Sequence, residues 1–108
     1  MSKEWFIVQI KSNAYNRAEK NLNKQGFETF SPMYNITKRV SCKFTNLTKP
    51  LFPGYMFISF DRASSKWGKI NSTYGVSRLI TFNSILKSVP TSFINGLMNR
   101  CDISGKLL

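Results

Sequence analysis

The residue types that usually carry catalysis are sparse in this chain. Its five acids, Glu4, Glu19, Glu28, Asp61 and Asp102, are scattered, with neither a paired-carboxylate arrangement nor the spacing of metal ligands. Histidine is absent, which removes the usual general base and the commonest metal ligand. No glycine-rich phosphate loop occurs. Cys42 and Cys101 are the only cysteines, too few for a disulfide scaffold or a structural zinc site, and read as small core or surface hydrophobes in a reducing cytoplasm. A lysine or tyrosine base would be the one remaining route, and nothing points to one. Neither enzymatic activity nor a metal or cofactor is expected.

Two other constellations carry chemistry of contact. The first is charge: 16 Lys and Arg against 5 Asp and Glu give a net charge of +11 over 108 residues. An excess of one sign costs self-repulsion, and in a small domain it usually marks a polyanionic partner, most often nucleic acid. The second is the segment from Pro50 to Phe60. Prolines on both sides of Leu51-Phe52 stiffen the approach to a strand, and Gly54 permits a backbone conformation that a side chain would oppose. Along the strand, Tyr55, Phe57 and Ser59 share one face, while Met56, Ile58 and Phe60 share the other. A sheet covered by helices on one side needs only one apolar face, so Tyr55 and Phe57 are surplus to that core. Either the final helix or the 45–52 loop covers these rings, or a partner does.

The elements that position these groups follow from periodicity. Residues 5–10 form a nearly continuous apolar run, as in a strand buried on both faces. From Asn13 to Gln25 the period becomes helical: Tyr15, Ala18 and Leu22 make an apolar stripe, with Arg17, Lys20, Asn21 and Lys24 opposite. Asn13 is expected to cap this helix and Gly26 to end it. A short strand at 28–30 leads past Pro32 to a longer one at 35–44, where Ile36, Val40, Cys42 and Phe44 alternate with polar residues. Residues 45–50 read as a loop and 55–60 as a strand. Next come a short helix with Trp67 and Ile70 inward, a loop at 71–75, and a strand from Val76 to Phe82. A last helix starts at Pro90 and carries Phe93, Ile94, Leu97, Met98 and Cys101 on its apolar side. The order β-α-β-β-α-β-α implies an α+β fold, a mainly antiparallel sheet flanked by about three helices. No apolar stretch approaches a membrane span, and Met1-Ser2-Lys3-Glu4-Trp5 does not open a signal peptide. A cytoplasmic protein is expected.

The stretch Lys49-Pro50-Leu51-Phe52-Pro53-Gly54-Tyr55-Met56-Phe57-Ile58 resembles the central signature of the NusG N-terminal (NGN) domain. Trp5-Phe6-Ile7-Val8-Gln9 with Lys11, Arg17-Ala18-Glu19, Gln25-Gly26-Phe27, Ser31-Pro32, Gly75-Val76-Ser77-Arg78, Phe82 and Val89-Pro90 follow the same pattern in order and spacing. The short link between residues 32 and 50, and Ile70-Asn71-Ser72-Thr73 before Gly75, look more like the RfaH branch. The resemblance implies an NGN α/β sandwich over residues 1–101, with 102–108 beginning a linker to a C-terminal KOW domain that these residues do not include.

Proteins similar to this are transcription elongation and antitermination factors that bind the clamp helices of the largest RNA polymerase subunit. They act as monomers that suppress pausing and associate with the nucleoid through the polymerase. Carried over by position, Tyr55, Phe57, Phe82 and Ile94 match the residues lining the polymerase-binding depression. Lys11, Arg17, Asn21, Thr73, Tyr74 and Gly75 match positions that contact the non-template DNA strand. Lys11, Arg17, Thr73 and Gly75 agree with the RfaH pattern, whereas Asn21 and Tyr74, like Ser12 and Ala14, depart from it. Lys66-Trp67-Gly68 does not reproduce the family's small polar gate-loop motif. The competing reading is an RNA-recognition module, because Gly54 to Phe60 resembles a base-stacking RNP1 strand. Against it, Pro53 stands where that motif wants Lys or Arg, and Met56 where it wants Gly or Ala.

Overall fold

The computed structural model describes residues 3–102 and 105–107. Four antiparallel strands form the main sheet: β1 (Glu4–Ile10), β2 (Glu28–Phe30), β5 (Tyr55–Phe60) and β6 (Val76–Leu79), in the order β2-β5-β1-β6. Helix α1 (Tyr15–Lys24) and the 3-10 helix Ser65–Ser72 lie on one face. Helix α2 (Thr91–Asn99) lies on the other. No helix among the described residues is long and apolar enough to cross a membrane.

Alternation along the two central strands explains this three-layer arrangement. Phe6, Val8 and Ile10 of β1 and Met56, Ile58 and Phe60 of β5 point to the α1 side, where they meet Ala18, Leu22 and Ile70. The opposite residues, Trp5, Ile7 and Phe57, meet Phe30 and Ile94 of α2. The apolar run of β1 is thus apolar on both faces because both faces are covered. A side chain as large as Phe6, wholly buried here, stabilises by roughly 1.5–3 kcal/mol relative to exposure. Phe57 is also buried, at 6% exposure. Of the two aromatics that looked surplus, α2 absorbs one, and only Tyr55 remains open, at 41%.

The strand expected at 35–44 is instead one arm of a hairpin. β3 (Met33–Val40) turns through Ser41 and Cys42 into β4 (Lys43–Pro50), so the expected 45–50 loop is a strand. Both turn residues have positive φ, 51° and 64°, the conformation of a two-residue type I′ turn whose twist matches the strands. Val40, Cys42 and Phe44 are therefore exposed rather than inward. The alternation serves cross-strand pairing: Thr37 Oγ1 donates to Asn46 Oδ1 (3.1 Å), and Thr48 Oγ1 to Asn35 Oδ1 (2.9 Å), each across a directly paired position.

Three smaller expectations are also corrected. Asn13 does not cap α1; it sits at φ 60°, and Ala14 holds the cap position without a side-chain bond. Asn tolerates the left-handed region, so it serves as the turn into the helix. Residues 71 and 72 belong to the 3-10 helix, which leaves the loop only 73–75. The strand from Val76 to Phe82 breaks at Ile80, whose N–H bonds to Ile7 O (2.9 Å). β7 (Thr81–Phe82) and β8 (Ile85–Leu86) then make a separate hairpin through Asn83 and Ser84, again both at positive φ. Beyond α2, Leu107 N–H bonds to Met33 O (2.8 Å) and Met33 N–H to Gly105 O (2.9 Å).

Candidate functional site

On the α2 side of the sheet, an open depression of about 570 Å³ is lined by Ile7, Pro32, Phe52, Tyr55, Val89 and Phe93, among others. Phe57 forms its floor. Phe52 and Phe93 stand edge-on to that ring, at 5.7 Å and 6.3 Å between centroids, and Phe30 stacks beneath at 6.1 Å. The walls remain wet: Phe52, Tyr55 and Phe93 are 37%, 41% and 48% exposed. Among the described residues, Arg78 is the one charged side chain that lines it, its Nε donating to Gln9 Oε1 at 3.3 Å.

The turn that presents Phe52 and Tyr55, at the start of β5, is pinned by Tyr15 of α1. Its hydroxyl proton is shared between Phe52 O (2.9 Å) and Tyr55 O (3.0 Å), and its oxygen accepts from Tyr55 N–H (3.0 Å). Between them Gly54 adopts φ 86°, a backbone state that favours glycine. Gly54 O in turn accepts from Ile10 N–H (2.8 Å).

Of the four positions carried over for polymerase binding, Tyr55 and Phe57 line this depression. Ile94 is fully buried beneath it among Trp5, Phe30 and Phe57. Phe82 lies outside the lining, on the β7–β8 hairpin, at 65% exposure. Sequence reasoning missed Phe52, Val89 and Arg78 as lining residues, and it took Phe93 for core. The one available signal was Phe52, a large aromatic between two prolines where a loop needs none. Cys101 packs beside the same core. Burial, reinforced by the neighbouring Asp102 carboxylate, pushes its thiol up from the ordinary value, away from nucleophilic chemistry.

The six positions carried over for DNA do converge, around the 73–75 loop against α1. Arg17 donates to Tyr74 Oη (3.0 Å), with its guanidinium carbon 5.5 Å from the ring centroid. Asn21 Nδ2 reaches Tyr74 O (3.4 Å), and Lys11 N–H bonds to Gly75 O (2.9 Å). Gly75 has φ 92°, and a Cβ there would meet Ala18 N at 3.0 Å, Ala18 Cβ at 3.1 Å and Ala14 O at 3.2 Å. Only glycine lets the loop lie this close to the helix. Thr73 is buried, its hydroxyl donating to Lys69 O (2.9 Å) and accepting from Gln25 Nε2 (2.8 Å). Thr73 and Gly75 thus shape the surface, while Lys11, Arg17 and Tyr74 are the exposed groups. Gln25 was read as a helix end and as part of the family pattern, and its hold on Thr73 had no sequence signal.

An RNA-recognition sheet must leave the aromatics of its RNP1 strand, which β5 resembles, bare for bases. Here Phe93 and Ile94 of α2 cover Phe57, which removes that reading. The fold and its two surfaces define an α+β domain whose exposed chemistry is contact: an apolar depression on one face, a cation–aromatic loop on the other. Residues 3–99 match the family model for transcription termination factor NusG, and the chain belongs to the NusG family. It is 28% identical over 88 residues to the transcription termination/antitermination protein NusG of Staphylococcus carnosus, covering 73% of this chain and 48% of that protein. The NusG of Halalkalibacterium halodurans is 24% identical over 89 residues, covering 74% and 50%. The chain thus spans about half the length of these curated relatives. A solved structure on domain interaction in Thermotoga maritima NusG shares the fold, with a TM-score of 0.58 at 18% identity over 85% of this chain and 53% of that one.

Proposed function

We propose that this domain binds RNA polymerase through the depression and contacts the non-template DNA strand through the Arg17–Tyr74 face, so acting as an elongation and antitermination factor. The observation that carries the reading is the depression itself. Three aromatic walls stay partly exposed around a ring that is already buried, the shape an apolar helix pair fills. Its occupant is the clamp-helix pair of the largest polymerase subunit, with Tyr55 and Phe57 in contact and Ile94 supporting from below. Phe82, carried on its own hairpin, reaches the same partner outside the depression. Lys11 and Arg17 hold phosphates, and Tyr74 stacks on a base. Asn21, Thr73 and Gly75 position that loop.

Closeness to the RfaH branch is the finer part of the proposal. It rests on Ile70-Asn71-Ser72-Thr73 preceding Gly75-Val76-Ser77, and its DNA preference differs from RfaH because Asn21 and Tyr74 do. Titration with purified RNA polymerase, beside titration with single-stranded RNA, tests the reading. Saturable polymerase binding and pause suppression in a single-round transcription assay are expected. Absence of polymerase binding at saturating protein overturns it.

A further inference from the structure

The β3–β4 hairpin takes no part in either surface described above, yet it is built to meet something. Its strands run to Val40 and Lys43 with both faces exposed over the outer half. The molecule is correspondingly long, 53 Å against 28 Å in the other two directions. The 18 residues from Met33 to Pro50 carry Lys38, Arg39, Lys43 and Lys49 and no acid. Among the described residues, the ion pair is that of Arg62 with Glu4, and none of these four cations takes part in it.

Register assigns the charges to faces. Lys38, Lys43 and Lys49 fall on one face with Tyr34, Ile36 and Leu47. Arg39 falls on the other, directly opposite Phe44, which is 76% exposed. We propose that this hairpin is a second nucleic-acid contact, an arm that lies along the phosphate backbone of duplex DNA. A two-stranded β-ribbon fits the major groove, about 12 Å wide, whereas the deep, narrow groove of duplex RNA does not admit it. Single strands are held in a groove with successive stacking aromatics; this arm is convex and offers one ring at its tip. An anionic membrane needs a continuous apolar face beside the lysines. On the lysine face only Val40 is an exposed apolar side chain, Tyr34, Ile36 and Leu47 being half-buried, and Phe44 lies on the other face.

The proposal does not depend on polymerase binding, so its test uses the 108-residue chain alone. A fluorescent blunt DNA duplex is titrated by anisotropy over a range of potassium chloride concentrations. Each cation held on a duplex phosphate adds about 0.9 to the slope of log affinity against log salt. The variant Lys38→Ala/Arg39→Ala/Lys43→Ala alters only exposed side chains, so the fold is retained. Its slope is expected to fall by about 2.7. The control Lys3→Ala/Lys66→Ala/Lys87→Ala removes the same charge from exposed positions elsewhere, and is expected to lower the slope by less than about 1. An unchanged slope in the hairpin variant, or an equal fall in the control, overturns the proposal. So does hairpin-dependent binding that is as strong for single-stranded DNA, duplex RNA or phosphatidylserine vesicles.

Discussion

Truncating Phe57 and truncating Tyr55 separate what holds the domain together from what it presents. The two rings lie two residues apart on β5 and line the same depression. Phe57 is 6% exposed and touches Phe30, Phe52 and Phe93 at centroid distances of 6.1, 5.7 and 6.3 Å. Phe57→Ala therefore loses both transfer energy and packing, about 3–5 kcal/mol. That is a large share of the roughly 5–15 kcal/mol that holds a typical domain, and at about 4 °C per kcal/mol it lowers Tm by about 12–20 °C. Tyr55 is 41% exposed, and its bonds to Tyr15 use its backbone N–H and carbonyl. Tyr55→Ala leaves those bonds in place and should keep Tm within about 4 °C, a cost of about 1 kcal/mol. At an interface, an aromatic anchor of this kind costs ~2 kcal/mol or more when removed, a loss of affinity of about 30-fold. The assay is thermal unfolding of each variant beside polymerase titration at a temperature where both are folded. Unchanged affinity in Tyr55→Ala, or a Tm drop equal to that of Phe57→Ala, refutes the assignment of Tyr55 as an outward anchor.

Further outcomes follow from individual contacts. Gly75→Ala forces a Cβ to within 3.0 Å of the Ala18 backbone at φ 92°; it should destabilise by ~2 kcal/mol or more, read as a lower urea midpoint with unchanged m. Tyr15→Phe removes the hydroxyl that pins the Phe52–Tyr55 turn; a loss of about 1 kcal/mol is expected, with faster hydrogen exchange at Tyr55 N–H. Arg17→Ala should lower the salt slope for single-stranded DNA by about 0.7, whereas Tyr74→Ala should weaken binding by about 1–3 kcal/mol at nearly constant slope. Native thiol labelling should modify exposed Cys42 quickly and Cys101 slowly, with rates converging in denaturant. Slow native labelling of Cys42, matching that of Cys101, would return Cys42 to the interior.

What was legible in the sequence was set by local chemistry. α1 has an unbroken helical period and β5 two faces set by strand alternation, so their faces could be assigned without knowing what covered them, while the continuous apolar run of β1 announced burial on both. The loop around Tyr74 could be linked to Arg17 only through the family resemblance, since 57 residues separate them. The hairpin was hidden because its turn, Ser41-Cys42, lacks the Asn-Gly or Asp-Gly chemistry that announces a type I′ turn. The polar alternation of Thr37, Asn46 and Thr48 answers a partner strand as well as it answers a core. Whether the final helix or a partner covers Phe57 stayed open for a related reason: periodicity shows which face a ring is on, but not whether a helix later in the chain returns to that face. The depression depends on the same return, with Phe93 and Val89 brought over β5 by α2 and the segment before it.

The two proposed surfaces lie on opposite sides of one sheet, yet they share a support. Helix α1 carries Arg17 and Asn21 on its outer side and packs Ala18 and Leu22 against β1 and β5. Three residues before Ala18, Tyr15 reaches past the start of β5 to bond both ends of the turn that carries Phe52 and Tyr55. Gly75 is pressed against Ala14 and Ala18 of the same helix. A shift of α1 along its axis would therefore move the Tyr74 loop and the rim of the depression together. Alanine at 14 and 18 leaves no flexible side chain to absorb such a shift, and the Tyr15 ring has only two torsions. Interactions of this kind hold a contact surface by packing rather than by charge. Apart from Arg17, which is held on Tyr74, that leaves the basic residues of α1 and of the hairpin available to the polyanion proposed above, consistent with a net charge of +11.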